Sequence, residues 1–482
     1  MFSPNDYQLI CSLFPRFLGL IYFVALVPFL FQIRALIGEK GILPVENFLA
    51  LYRTKKFGWK KYIHFPTLFW WKHSDGMLVG TVALGVFCAF LLTLGYVPYL
   101  LIPFLIVIHL SIVIAGQDFL SFGWEGFLLE ISYNTFLLTL TNQPNIFVWV
   151  SLNLLIFRFH LQAGASKLQT RDPNWRNLTA MCYHYQTQPL PNPLAWYMHK
   201  LPVWFHKFST GFMFFVELLV PFAIFGTEEM RLVAFIFMFV LQFSIALSGN
   251  YSYLNFMSMI LITLLLSNTY LAPIFGPHPF LPESPLILQL IASLGAISLI
   301  SLQLMQLWNQ FFRNPKIGKI LSNIYSLHFA NRYGIFAIMT TTRYEIVFEG
   351  SEDQKEWKEY LFYFKPSEVG RRPSIISPFQ PRLDWQAWFL PFTKFKNEIW
   401  VQNFLARLLE GELQVLKLLR HNPFPEKPPK YLRAQVYIYE FSPWSMKKRL
   451  GNWWVRTHIG PYTPILSLPN KKEALTETSD PL

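Results

Sequence analysis

Nine apolar runs, each close to the length a helix needs to cross a bilayer, constrain this chain more than anything else in it. They fall at about 13–33, 76–98, 99–116, 122–141, 145–165, 203–225, 231–247, 250–270 and 285–308, against a requirement of ~20 residues per span. Lipid offers no water to backbone N–H and C=O groups, so such runs must be helical. Only 14% of the residues are charged, where soluble proteins run nearer ~25%. The first run has no basic stretch ahead of it and no small-residue cleavage pattern inside it, and reads as a retained signal anchor. The expected fold class is a polytopic α-helical membrane domain of about nine spans followed by a mainly β (α+β) C-terminal soluble domain. The expected boundaries are 1–310 for the membrane domain, 311–463 for the soluble domain and 464–482 for a disordered tail.

Nine passes place 35–75, 166–202 and everything after 308 on one face. The segment 34–72 holds eight cations (Arg34, Lys40, Arg53, Lys55, Lys56, Lys60, Lys61 and Lys72), and by the positive-inside rule that face is cytoplasmic. The net charge of +13 is spread among loops, with no basic helix or tail. It suits anionic lipid headgroups and does not suit nucleic acid. Cys11, Cys88 and Cys182 form no C-x-x-C pair, which argues against a disulfide framework or thiol chemistry. The histidines are unclustered, and the sequence holds no G-x-S-x-G, Walker A, H-E-x-x-H or G-x-G-x-x-G. No metal site and no cofactor are expected.

Several polar groups fall inside apolar runs: Glu125, Glu130, Arg158, His160 and Glu217. Each ionisable group at mid-membrane costs ~2.5–3.5 kcal/mol on insertion scales and needs an interior partner. For Glu217 the candidate partners are Arg158 and His160, as a structural ion pair or as a buried proton acceptor. Between the runs, 166–202 is dense in aromatics and prolines. Pro189, Pro191, Pro193 and Pro202 forbid a continuous helix there. Trp175, Tyr183, His184, Tyr185, Gln188 and Trp196 are its candidate contact residues; the alternative is an interfacial lid over the bundle. Lys167 beside it either snorkels to headgroups or, desolvated, acts as a base with His184.

After Trp308 charge becomes frequent. Strand-like stretches appear at 334–341, 344–349, 357–365 and 431–442, and a helix at 398–410 with Gly411 as its C-cap. Arg382 and Asp384, next to Trp385, read either as a docking patch or as an internal ion pair under packed tryptophans. Asn177 and Asn250 head formal glycosylation sequons.

The run W-R-N-L-T-A-M-x-Y-H-Y-x-T-Q-P-L-P-N-P-L-A-W-Y, Trp175 to Tyr197, closely resembles the signature of the lipase maturation factor family. So do Gly249-Asn250-Tyr251, Thr342-Arg343-Tyr344-Glu345, Arg371-Arg372-Pro373, the stretch from Pro378 to Phe389, and Asn422-Pro423-Phe424-Pro425. The resemblance implies a membrane factor, not an enzyme, that assists folding and assembly of client proteins such as lipases. It also implies an endoplasmic reticulum location in a eukaryote (the inner membrane in a bacterium), with the long segments in the lumen, opposite to the charge rule. Ala163-Gly164-x-x-Lys167-Leu168 is similar to a looser pattern of the gamma-carboxylase-like superfamily. That likeness implies the alternative, a membrane enzyme acting on a peptide or lipid-soluble substrate near Lys167 and His184.

Overall fold

The computed structural model describes residues 4–53, 58–276 and 282–468. Seven helices among them are long and apolar enough to cross a membrane: Asn5–Ile37, Asp75–Leu94, Pro98–Ala115, Ile146–Gln169, Val203–Phe225, Glu228–Ser248 and Leu286–Phe312. An eighth expected span is a broken pair, Leu254–Leu265 and Asn268–Phe275, bent by 111°. The ninth, expected at 122–141, is the helix Gly123–Leu138. Its 16 residues reach roughly 24 Å at ~1.5 Å per residue, and it is wrapped almost entirely by its neighbours. Wrapping is what allows it to carry Glu125 and Glu130, both fully buried.

The connections alternate between two faces. On one, short turns meet one another, with Asn142 bonded to Ser284 and Asn145 to Ser293. On the other, every connection reaches the C-terminal region. The Gly41 and Ile42 carbonyls accept from Arg407 and Asn403. Phe119 accepts from Arg382, and Gln186 from Arg343. Asn250 bonds Ser374. The long segments therefore share one face of the helices.

The C-terminal region is built on an antiparallel sheet of order β2-β1-β5-β6, with β1 at Tyr344–Ser351, β2 at Lys358–Glu359, β5 at Tyr431–Phe441 and β6 at Trp454–Pro461. β3, Leu361–Phe362, pairs separately with β4, Leu419–His421. The long β1–β5 ladder runs in register from Tyr344 opposite Ile438 to Ser351 opposite Tyr431. Its inner side chain Phe348 meets Phe404 of the helix Ile399–Glu410 at 5.3 Å between ring centroids. That helix ends at Gly411, whose φ of +71° is the left-handed C-cap expected there. One turn earlier on the same helix Trp400 packs on Phe119 at 5.8 Å, joining the β core to the membrane core.

Three sequence expectations need correction. Residues 334–341 are not a strand. β-Branched and aromatic composition favours one, but the carbonyls of Phe336 and Ala337 accept from the Trp175 and Thr170 side chains instead. The soluble part does not start cleanly at 311, because Asn331 and Tyr333 are bonded into the helix bundle through Glu130. Nor is the chain free from 464: Leu466 forms a bridge with Leu432 of β5. His278 and the chain beyond 468 lie outside the described residues.

Candidate functional site

Among the described residues, the bundle carboxylates Glu125, Glu130 and Glu217 each form a buried pair with one lysine or arginine. Glu130 pairs with Arg158 and accepts from Tyr333 Oη at 2.6 Å and from the Asn331 backbone at 2.8 Å. Glu125 pairs with Arg382 at 2.5 Å, while Tyr253 Oη lies at 2.7 Å and His109 Nε2 at 3.1 Å. Glu217 pairs with Lys167 at 2.8 Å. Two assignments made from sequence are thus overturned. Glu217 takes Lys167, not Arg158 or His160, and Arg382 reaches the membrane carboxylate Glu125 instead of Asp384, two residues along the chain.

Gly164 explains the first of these. A Cβ there would lie 2.9 Å from the Glu217 Cβ and 2.8 Å from Leu218 Cδ2. Its absence lets the helices Ile146–Gln169 and Val203–Leu218 touch one turn before Lys167. The Lys167 ammonium then donates to both Glu217 oxygens and to the Ala163 carbonyl, and lies 5.6 Å from the Trp175 ring. All three of its protons are used.

Asp384 instead accepts the backbone N–H groups of Phe364 and Lys365, at 2.6 and 2.9 Å. Burial pushes its pKa up to about 6 from 3.8, with those two hydrogen bonds opposing the rise. A folded pKa above the unfolded one gives stability that is full below pH 3.8 and lost as pH rises through 6, a difference of about 3 kcal/mol. The expectation is that Asp384→Asn folds without this titration, so that parent-minus-variant stability falls by about 3 kcal/mol between those pH values. Asp384→Ala, leaving two buried donors bare, is expected to cost ~2–5 kcal/mol throughout. Denaturant titrations from pH 4 to 8 check both.

The 166–202 segment forms three short helices, Pro173–Arg176, Met181–Thr187 and Pro193–His199, the last with Pro193 at its first turn and Asn192 capping Ala195 N–H. Most of its candidate contact residues face inward. Trp175 bonds the Phe336 carbonyl, and Tyr185 and Trp196 share a core with Tyr439, Phe441 and Trp454. Gln188 donates to the Tyr185 and Ser248 carbonyls and accepts from Tyr251 Oη at 2.8 Å. Trp385 packs on Trp124 at 5.1 Å. Tyr183, 37% exposed, is the one ring of the set in the open.

Two residues that organise this region were not picked out as site residues from the sequence. Arg343 donates to the carbonyls of Gln186, Gln188 and Pro189 and to Glu345, which Lys365 also neutralises at 2.7 Å. Asn250 fills both ends of its amide, donating to the Leu190 and Ser374 carbonyls and accepting from Ile376 and Ser377 N–H. That leaves the Asn250 sequon closed, whereas Asn177 is exposed. Both organisers lie in motifs that were legible, T-R-Y-E and G-N-Y, but a motif does not say what its polar head grips.

Between these parts lies a cavity of about 630 Å³, lined by His160, Lys167, Trp175, His184, Tyr185 and Glu217 together with apolar residues of the helices Val203–Leu218 and Glu228–Ser248. Sequence reading had singled out all six of these. The cavity keeps Arg382, Asp384 and Trp196 outside its walls.

The family model for the lipase maturation factor transmembrane domain matches residues 9–273, and that for the lipase maturation factor C-terminal domain matches 329–464. The chain belongs to the lipase maturation factor family. It is 33% identical to lipase maturation factor 1 of Mus musculus, over 97% of this chain and 88% of that protein. The human protein of the same name is also 33% identical, over 96% and 89%. Lipase maturation factor 2 of Gallus gallus is 30% identical over 95% and 81%. No solved structure matches. Like its family, the chain is an integral, multi-pass membrane protein.

Proposed function

We propose that this chain is a non-catalytic membrane factor that helps lipases fold and assemble, working from the face on which its long segments meet. In a eukaryotic host that face is the luminal side of the endoplasmic reticulum membrane. The supporting observation is the interlock of the two family regions: Arg343 holds the Gln186, Gln188 and Pro189 carbonyls, so loop and sheet form one body. In this reading Trp175, Tyr185, Gln188, Trp196, Arg382, Asp384 and Trp385 hold that body rigid, His184 lines its cavity, and Tyr183 touches client.

The alternative, a membrane enzyme using Lys167 and His184, needs a lysine with a lone pair. The engagement of all three Lys167 protons favours a structural pair instead. The test is rescue of secreted lipase activity in cells lacking their own maturation factor. Tyr183→Ala is expected to lower rescue severalfold with unchanged thermal stability. The charge-removing pair Lys167→Met with Glu217→Gln is expected to fold and keep rescue. A folded double variant with no rescue would instead establish the enzyme, and no rescue by the parent chain would end the lipase reading.

A further inference from the structure

Two residues of the cavity wall, Phe208 and Val240 on the spanning helices Val203–Leu218 and Glu228–Ser248, are 64% and 45% exposed, which marks a gap between these helices. Its volume of about 630 Å³ suits a small-molecule site, roughly 300–1,000 Å³. An occupant reaching it through that gap comes from the bilayer and carries an apolar chain.

The polar groups at its inner end define what head such a molecule carries. His160 Nδ1 lies 2.9 Å from the Ile156 carbonyl, an acceptor only, so Nδ1 bears the proton and Nε2 is a bare acceptor. The tautomer of His184 follows from a longer chain of bonds. Gln188 donates its amide protons to the Tyr185 and Ser248 carbonyls, which turns its Oε1 toward Tyr251. Tyr251 spends its one proton on that oxygen, so His184 Nε2, 2.8 Å from the Tyr251 oxygen, is the donor of their bond. His184 Nδ1 is therefore also a bare acceptor. Burial, helped by the Lys167 charge, lowers the His184 pKa to about 4 and keeps the ring neutral. Among the described residues neither His160 Nε2 nor His184 Nδ1 has a partner, although both are buried, and His160 is 1% exposed. Lys167 and Glu217 cancel each other, and Arg332, the other charged lining residue, is exposed, so the buried end of the cavity presents two acceptors and no unpaired charge among the described residues.

We propose that the cavity binds one uncharged lipid alcohol, of the acylglycerol kind, with its acyl chain between the two helices and a free hydroxyl donated to His160 Nε2 or His184 Nδ1. An anionic headgroup meets two lone pairs there and is rejected; a chain without a donor leaves both acceptors bare. The site is independent of the client reading and holds whether or not the client is a lipase.

The test uses the full chain in phosphatidylcholine nanodiscs, with 1-oleoylglycerol, its di-O-methyl ether and oleate as probes, read by thermal shift and direct binding. The expected result is stabilisation by 1-oleoylglycerol, with binding weaker by on the order of tenfold or more for the ether and weaker still for oleate. His160→Phe and His184→Phe are each expected to reduce the preference for alcohol over ether, and the double variant to erase it. Should either fail to fold, Val240→Trp at the exposed rim is expected to block binding of 1-oleoylglycerol in a stable protein. Equal binding of alcohol and ether, tighter binding of oleate, or unchanged binding by Val240→Trp overturns the proposal.

Discussion

Replacing Arg382 with alanine is expected to destabilise the folded protein by about 3–5 kcal/mol, the usual consequence of removing one member of a buried ion pair. Arg382 is 1% exposed and lies at the start of the helix Arg382–Ala387. Its backbone N–H donates to Gln32 Oε1 at 2.9 Å, and its guanidinium reaches the Phe119 carbonyl at 3.1 Å and Glu125 at 2.5 Å. Truncation leaves Glu125 with Tyr253, Trp124 and His109 but without its cation. The charge is then uncompensated where water cannot reach it. The pair Arg382→Met with Glu125→Gln removes both charges and keeps an acceptor for Tyr253, and is expected to recover more than half of the loss. Denaturant unfolding in detergent micelles measures both; a single variant as stable as the parent would show that the pair holds nothing together.

The dependence runs in one direction along the chain. Glu125 is tolerable on a helix of 16 residues only because Arg382, far along the sequence, comes back to it. Glu130 depends in the same way on Asn331 and Tyr333. In the folded protein the membrane helices and the C-terminal region thus satisfy the same buried carboxylates.

This also separates what could be read from the sequence and what could not. Seven spans were legible because apolar length is a local property, and the β1–β5 strands because their composition is local too. The aromatic loop was legible as an organising element, but whether it forms a contact surface or a lid over the bundle was not. A polar, proline-rich stretch between spans looks like surface until its cover is known. The cover of Tyr185 and Trp196 is Tyr439, Phe441 and Trp454, which nothing in the loop announces. The ion pairs failed for the same reason. Lys167 and Glu217 meet because Gly164 lets two helices touch, and Glu125 finds Arg382 across the whole fold. Partner choice lives in tertiary geometry, which one-dimensional spacing does not encode.

Arg343 is where that geometry bears on function most directly. Arg343→Ala is expected to cost about 3–5 kcal/mol, because it strips three loop carbonyls, two of them in buried bonds, of their donor and leaves Glu345 to Lys365 alone. Arg343→Lys keeps the charge but loses the planar fork that serves several acceptors at once, and is expected to recover roughly 2 kcal/mol of that. The effect should also reach the cavity. Arg343 grips the Gln188 carbonyl, the Gln188 side chain sets the proton of Tyr251, and Tyr251 sets the tautomer of His184. Loosening the first link frees the last, so Arg343→Lys, if folded, is expected to bind 1-oleoylglycerol severalfold more weakly than the parent while touching none of it. Normal binding in that variant would mean that the His184 tautomer is held by Ser248 and Tyr185 through Gln188 alone, and that loop and sheet are coupled in stability but not in recognition.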